Sequence, residues 1–391
     1  MKIVIDVRNL QTWARYRGGG SYTRNLIRAI SNIDRTNKYS LLVYEDARFA
    51  DLGLEGLGDN FSLLPFSVPS VYKKNSWLFD ETCLSAFLKK QALDLFHQPD
   101  PFKMLYAGTG GSFKTAVMVH DFVPLFYPPP FSLRAVVFKW VVHRLLRRIR
   151  AADHIFVNSE NTQKDVVTLL GFPEERITVA YPALSFKPLP VPEDVRKAVK
   201  KKYGLNEVFV LFAGGLDERK NIGNLLRAFK KCRDGLSEDC RMVITGWDGK
   251  RISSPDCRKA LRLIEELDLR EQVVFTGFIP EEDLAALYAS AAVFFFPSRY
   301  EGFGMVCLDA MSYGCPVVCA RTSSLPEVVG EAGILVDPEN TEEMAGALGK
   351  IMGDASFREQ LRTASLKRAE KFSWEETARK TLDVYFRLFR K

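Results

Sequence analysis

Short apolar runs alternate with longer amphipathic stretches along this chain, in two series separated by a proline-rich break. The first series runs through KIVIDV, SLLVYE, DLFHQ, AVMVHD, HIFVNS and RITVAYP, with helical stretches such as Ser21 to Ile30 and Asn161 to Leu170 between them. The second begins at VFVLFAGG and continues through CRMVITG, VVFTG, VFFFPS, CPVVCA and GILVD. Strand then helix, repeated, implies parallel strands joined by helical crossovers. Pro182, Pro188, Pro190 and Pro192 interrupt the pattern. The expected organisation is a Rossmann-like domain over residues 1–182, a linker over 183–205, a second Rossmann-like domain over 206–370, and a helix over 371–391. A length of 391 residues suits two cores, since domains typically hold about 100 to 200 residues. With 47% hydrophobic and 26% charged residues, disordered and fibrous classes are excluded.

In open parallel sheets ligands bind beyond the carboxyl ends of strands, so candidate residues are those just after strands. After the first strand, Gly18 to Gly20 lead straight into a helix. Glycine allows close backbone approach and a helix start offers unpaired N–H groups, which suits a phosphate, although a plain flexible turn fits the same residues. The second series opens similarly, with Arg219 and Lys220 in a charged loop before a helix; this is a diphosphate clamp or a pair of solvated charges. The segment PSRYEGFGMVCLDAMSYGCPVV favours the clamp. With a helix starting near Met305, Glu301 lies in the loop before it and Asp309 one turn inside, and Phe303, Gly304 and Met305 present backbone N–H groups between them. Two hydroxyl acceptors flanking an anion site match a nucleotide sugar.

Residues 206–345, through GGLDERKN, TGFIPEEDLAALYASAAVFFFPSRYEGFG, CPVV and SSLPEVVGEAGILVDP, resemble retaining glycosyltransferases of the GT-B fold, family 4. The first half is similar more loosely, through RGGGSYTRNLIRAI, VHDFVPLFYP and HIFVNSENTQKDV. The resemblance implies two doubly wound domains facing across a cleft, with the last helix crossing back to the first domain. It implies that Lys220 and Arg219 hold a donor diphosphate, Glu301 contacts sugar hydroxyls, Phe303 to Val306 (with Gly304 and Met305) give backbone contacts, and Asp309 binds ribose. His120 matches the histidine near the donor sugar, and Gly18 and Gly20 the glycines near the phosphates. Asp309 replaces the second glutamate of the family pattern, and Gly215 stands where many members carry arginine. No D-x-D occurs, so no metal and no separate cofactor are expected; Arg219 and Lys220 would neutralise the leaving group. The VHDFVPLFYP stretch looks most like members that use GDP-mannose in bacterial polysaccharide or O-antigen assembly, on a lipid-linked acceptor. A UDP-sugar user with a soluble acceptor and a sugar-nucleotide epimerase are the alternatives.

The net charge of +7 is concentrated in residues 1–182, which carry 23 basic and 17 acidic side chains. Residues 132–152 alone hold Arg134, Lys139, Arg144, Arg147, Arg148 and Arg150, without an acid. On a helix, Phe138, Val141, Val142, Leu145 and Ile149 form one apolar arc. The opposite arc, with Trp140, Arg144, Arg147 and Arg148, suits an anionic membrane surface or packs beneath a neighbouring loop. No nucleic-acid module is recognisable. The longest nearly uncharged run, Leu284 to Pro297, is too short to span a bilayer. MKIVIDVRNL carries Asp6 and Arg8 where a leader would be apolar, and seven cysteines without metal spacing read as reduced thiols. The expected location is cytoplasmic, peripheral on the inner face of the plasma membrane.

Overall fold

A computed structural model describes residues 1–16, 18–45, 47–67, 83–100, 113–128, 133–185, 188–205, 208–234, 240–247, 249 and 255–390. The chain divides into two compact units, Met1–Ser185 with Ser373–Lys391, and Phe186–Phe372. Each is an α/β unit built on one parallel sheet.

The first unit holds β1 (Lys2–Asp6), β2 (Lys38–Tyr44), β3 (Phe61–Phe66), β4 (Leu95–Gln98), β5 (Lys114–Val119), β6 (His154–Val157) and β7 (Ile177–Val179), in the order β3-β2-β1-β4-β5-β6-β7. Strands inside the sheet, such as β1 and β6, are buried on both faces because both are covered. On β1, Ile3 and Ile5 join a core with Tyr22, Leu26 and Ile30 of the Gly18–Ile33 helix and with Ala378, Leu382 and Tyr385 of the Trp374–Arg390 helix, whereas Val4 faces a second core with Phe96, Leu84 and Leu88. The order turns at β1, with β2 and β3 on one side and β4 to β7 on the other. That reversal opens a crevice beyond the carboxyl ends of β1 and β4.

The second unit repeats the scheme with β8 (Phe209–Ala213), β9 (Arg241–Thr245), β10 (Val273–Gly277), β11 (Val293–Phe296), β12 (Val317–Ala320) and β13 (Ile334–Val336), ordered β10-β9-β8-β11-β12-β13. Its reversal lies between β8 and β11, so residues that follow those strands meet at one crevice. Within the stretch expected as a linker, Glu193–Lys202 is a helix of this unit. Pro192 caps its start, Val199 is buried, and Asp283 accepts from Lys202 at 2.6 Å and from Tyr203 at 2.5 Å. Of the four prolines only Pro192 stands at this helix start, and the boundary between the units, Ser185 to Phe186, falls between Pro182 and Pro188.

Six of the seven cysteines are buried and none is in a disulfide. Among the described residues no helix is long and apolar enough to cross a membrane.

Candidate functional site

In the second unit, β8 delivers Gly214, whose φ of +149° is one that side chains rarely allow, and a one-turn 3-10 helix then carries Glu218 to Lys220. Lys220 is 7% exposed; its ammonium lies 4.4 Å from the centre of the Phe296 ring at the end of β11. From the loop after β11 comes Glu301, and one oxygen, Oε1, accepts from Arg219 Nη1 at 2.6 Å, Lys220 Nζ at 2.7 Å and Ser298 Oγ at 2.6 Å. Arg219 also pairs with Asp217 at 2.8 Å. Burial alone would raise the Glu301 carboxyl, but the charges of Lys220 and Arg219, with hydrogen bonds from Lys220 and Ser298, outweigh it and hold it at about 2. Glu301 is thus ionised at neutral pH, with its backbone fixed too: its N–H donates to Ser323 Oγ at 3.0 Å, and Ser324 Oγ donates to its carbonyl at 2.9 Å.

Next, Gly304 adopts φ +102° and caps the Met305–Ser312 helix. A Cβ there would lie 2.7 Å from Leu325 Cδ2, so the position demands glycine twice over. No acid or side-chain cap fills the first turn of that helix, and helix geometry leaves the amides of Met305 and Val306 without intrahelical acceptors. The Phe303 side chain is buried edge-on against Phe372 at 5.6 Å, so only its backbone can serve a ligand. Asp309 is buried one turn into the helix, close enough to the buried Tyr288 that its charge adds to burial in raising that phenol.

In the first unit the structure brings the glycine turn against His120, which follows β5. His120 Nε2 lies 2.8 Å from the Pro99 carbonyl. A carbonyl only accepts, so Nε2 carries the proton. Of the three glycines, Gly19 is the one that faces this crevice: a Cβ there would meet Asp100 Oδ2 at 2.7 Å and stand 3.7 Å from His120 Nε2. Gly20 is different from expectation. Its missing Cβ makes room for the Ala14 carbonyl, at 2.5 Å, and for Arg15 Cα, so close chain packing accounts for that glycine. Gly18 is the exposed first residue of its helix.

The Leu133–Ile149 helix buries Val142, Leu145 and Ile149. Trp140 is 51% exposed with the Arg144 guanidinium 5.3 Å from its ring centre, and Arg147 is exposed. Arg148 corrects the expected outer arc, because it is half-buried and burial lowers its guanidinium. It lies one residue before the core position Ile149, at the edge of the apolar face. The side chains of Arg134, Phe138 and Lys139 lie outside the described residues.

Residues 16–185 match the family described as Glycosyltransferase Family 4, and residues 195–368 the one described as Glycosyl transferases group 1. The O-antigen chain mannosyltransferase B of Escherichia coli is 31% identical over 267 residues, 68% of each chain. This chain belongs to glycosyltransferase family 4. The E. coli serotype-specific mannosyltransferase WbdA is 26% identical over 99% of the glycosyltransferase described here, which spans 48% of WbdA. Among solved structures, sucrose-phosphate synthase from Thermosynechococcus elongatus superposes with a TM-score of 0.73 over 100% of this chain and 99% of that one, at 19% identity, and shares its GT-B fold.

Sequence reasoning missed several residues that build the glycosyltransferase's crevices. Ser298, Ser323 and Ser324 immobilise Glu301. Asn221, at φ +58°, ties the start of the Ile222–Arg233 helix to the carbonyls of Pro297 and Pro338. In the first unit, Asp100 and Asn9, whose Nδ2 donates to Thr23 Oγ1 at 2.9 Å, were not singled out. Position just after a strand was the available signal for Asp100 and Ser298.

Proposed function

We propose that this glycosyltransferase is a retaining, metal-independent mannosyltransferase that takes mannose from GDP-mannose to a lipid-linked acceptor in bacterial cell-surface glycan assembly. The observation that carries the donor site is the Glu301 carboxylate pinned by Arg219 and Lys220 at the carboxyl ends of β8 and β11. Lys220 has three donor hydrogens and Arg219 five, so each can hold Glu301 and still face a diphosphate. Two cations there supply the charge that a metal ion would otherwise bring to the leaving group. In this reading Glu301 accepts from sugar hydroxyls, the amides around Gly304 to Val306 meet phosphate and sugar, and Asp309 accepts from ribose. The acceptor hydroxyl attacks the anomeric carbon from the face that the nucleotide leaves. The bond to the diphosphate oxygen breaks as the glycosidic bond forms, and that oxygen takes the acceptor's proton. His120, with its proton fixed on Nε2, orients the sugar and is not the base through that nitrogen.

Mannose and a glycan-assembly role are supported by the names of the E. coli relatives. A thermal-shift panel of GDP-, UDP-, ADP- and dTDP-sugars tests the donor. A ligand at 100 times its Kd adds about 2.7 kcal/mol of stability, so GDP-mannose should raise the unfolding midpoint by degrees while the others do not. A shift with a UDP-sugar alone overturns the mannose assignment.

The exposed Trp140 with Arg144 and Arg147 supports contact with an anionic membrane surface. Flotation with anionic liposomes should fall several-fold in a Trp140→Ser, Arg147→Glu double variant. Equal flotation removes this helix from the account.

A further inference from the structure

His120 is held by more than its hydrogen bond to Pro99. Its ring stands edge-on to Tyr22, centroids 5.1 Å apart at 77°. Tyr22 is 2% exposed on the Gly18–Ile33 helix, in the second turn after the glycines. The other side of Tyr22 meets Trp374 at 5.4 Å and 71°. Trp374 in turn donates its indole N–H to the Leu184 carbonyl at 2.8 Å. Three rings therefore run in a column from the crevice to a single backbone carbonyl.

The ends of that column are not arbitrary places in the chain. The chain leaves the first unit after Ser185 and returns to it at Ser373. Leu184 is one residue before the departure and Trp374 one residue after the return, so the indole hydrogen bond stitches the two passages together. Neighbouring bonds tighten the same point. Asn25 Nδ2, one turn along from Tyr22, donates to the Ser185 carbonyl at 3.3 Å, and Thr377 Oγ1 donates to the Tyr181 carbonyl. An imidazole fixed at Nε2 can still tilt about its ring axis; an edge-to-face aromatic contact restrains that tilt, since such pairs prefer a narrow range of angles. A change in backbone at the passages would move Trp374, then Tyr22, then the plane of His120.

We propose that Tyr22 is a positioning residue that couples the orientation of His120 to the two chain passages, with Trp374 as the connecting ring. This rests on the reading that His120 serves the transfer reaction, so the test has one arm that needs no turnover.

That arm is the imidazole spectrum of the ¹⁵N-histidine-labelled full chain. Only four histidines are present, and His120 is assigned by its loss in His120→Gln. The wild type should show His120 as the Nε2-protonated tautomer. Tyr22→Phe keeps the ring and should keep that signal, whereas Tyr22→Leu and Trp374→Phe, which removes the indole donor and one of its two fused rings, should displace it and leave His143 in place. In the second arm, with whichever nucleotide sugar stabilises the wild type, Tyr22→Leu should lower kcat about tenfold, as a small misplacement of a reacting group does. Donor KM should stay within about twofold and Tyr22→Phe should restore turnover. His120 signals that coincide with wild type in both Tyr22→Leu and Trp374→Phe overturn the coupling. If Tyr22→Leu does not fold, Trp374→Phe decides alone. Wild-type turnover by His120→Ala would instead defeat the catalytic reading of His120, and the spectra would still judge the link.

Discussion

Glu301→Ala is expected to lower turnover by on the order of 10² or more, the usual cost of removing one pre-organised polar contact to a transition state. The same change removes the shared partner of Arg219 and Lys220, which lie 18% and 9% exposed at the side chain. Stripping one member from such a buried cluster costs about 3 to 5 kcal/mol, so loss of activity and loss of fold must be separated. Glu301→Gln does this, because it keeps an acceptor for Ser298 and both cations while losing the charge. Its turnover should fall nearly as far with a smaller drop in unfolding midpoint. Acid unfolding adds a second reading. The Glu301 carboxyl falls from its ordinary 4.5 to about 2 in the folded protein. A depressed carboxyl stabilises the fold above its unfolded value and loses that contribution as pH falls through the folded one. Wild type should therefore lose on the order of 3 kcal/mol between about pH 4.5 and 2 that the Gln variant does not. Wild-type turnover in Glu301→Ala would sink the donor-site assignment.

Lys220→Ala should also cost about 10² in kcat/KM, with a different signature. Lys220 is assigned to the diphosphate, so its loss should weaken binding of the nucleoside diphosphate alone, by about tenfold or more for one charge-assisted contact. Glu301→Ala should weaken that binding less, since the proposal assigns Glu301 to sugar hydroxyls and both cations stay in the chain. Isothermal titration with GDP separates the two. Lys220→Ala leaves Arg219 and Ser298 on the Glu301 carboxylate, so its stability cost should be the smaller. Equal loss of GDP affinity in both variants would mean that the cluster acts only as a scaffold.

The fold was legible because parallel strands buried on both faces must be continuous apolar runs, and β8 or β11 could hardly be anything else. Glu301, Arg219 and Lys220 were legible for a related reason: charged residues directly after such strands have few structural uses. Ser298, Ser323 and Ser324 were not, since hydroxyls in loops carry no distinguishing pattern until the fold brings them to Glu301. Gly19 and Gly20 are indistinguishable as letters. Only the Ala14 carbonyl at one and Asp100 at the other assign different causes to them. Arg148 was misplaced because a helical wheel has no sharp boundary between its faces, and long cationic side chains pack their stems wherever apolar surface lies near.

The Trp374–Arg390 helix belongs to the first unit but follows the whole of the second unit in the chain. Ala378, Leu382, Val384 and Tyr385 on it fill the core that contains Ile3 and Ile5 of β1. During synthesis the whole of Phe186–Phe372 emerges before those side chains do; at ribosomal rates that takes roughly 10 to 40 s. The earlier-translated unit is consequently the later one to close. Through that interval its β1 face lacks four core side chains, and a nascent chain held at that stage would present to chaperones the surface that the finished enzyme hides.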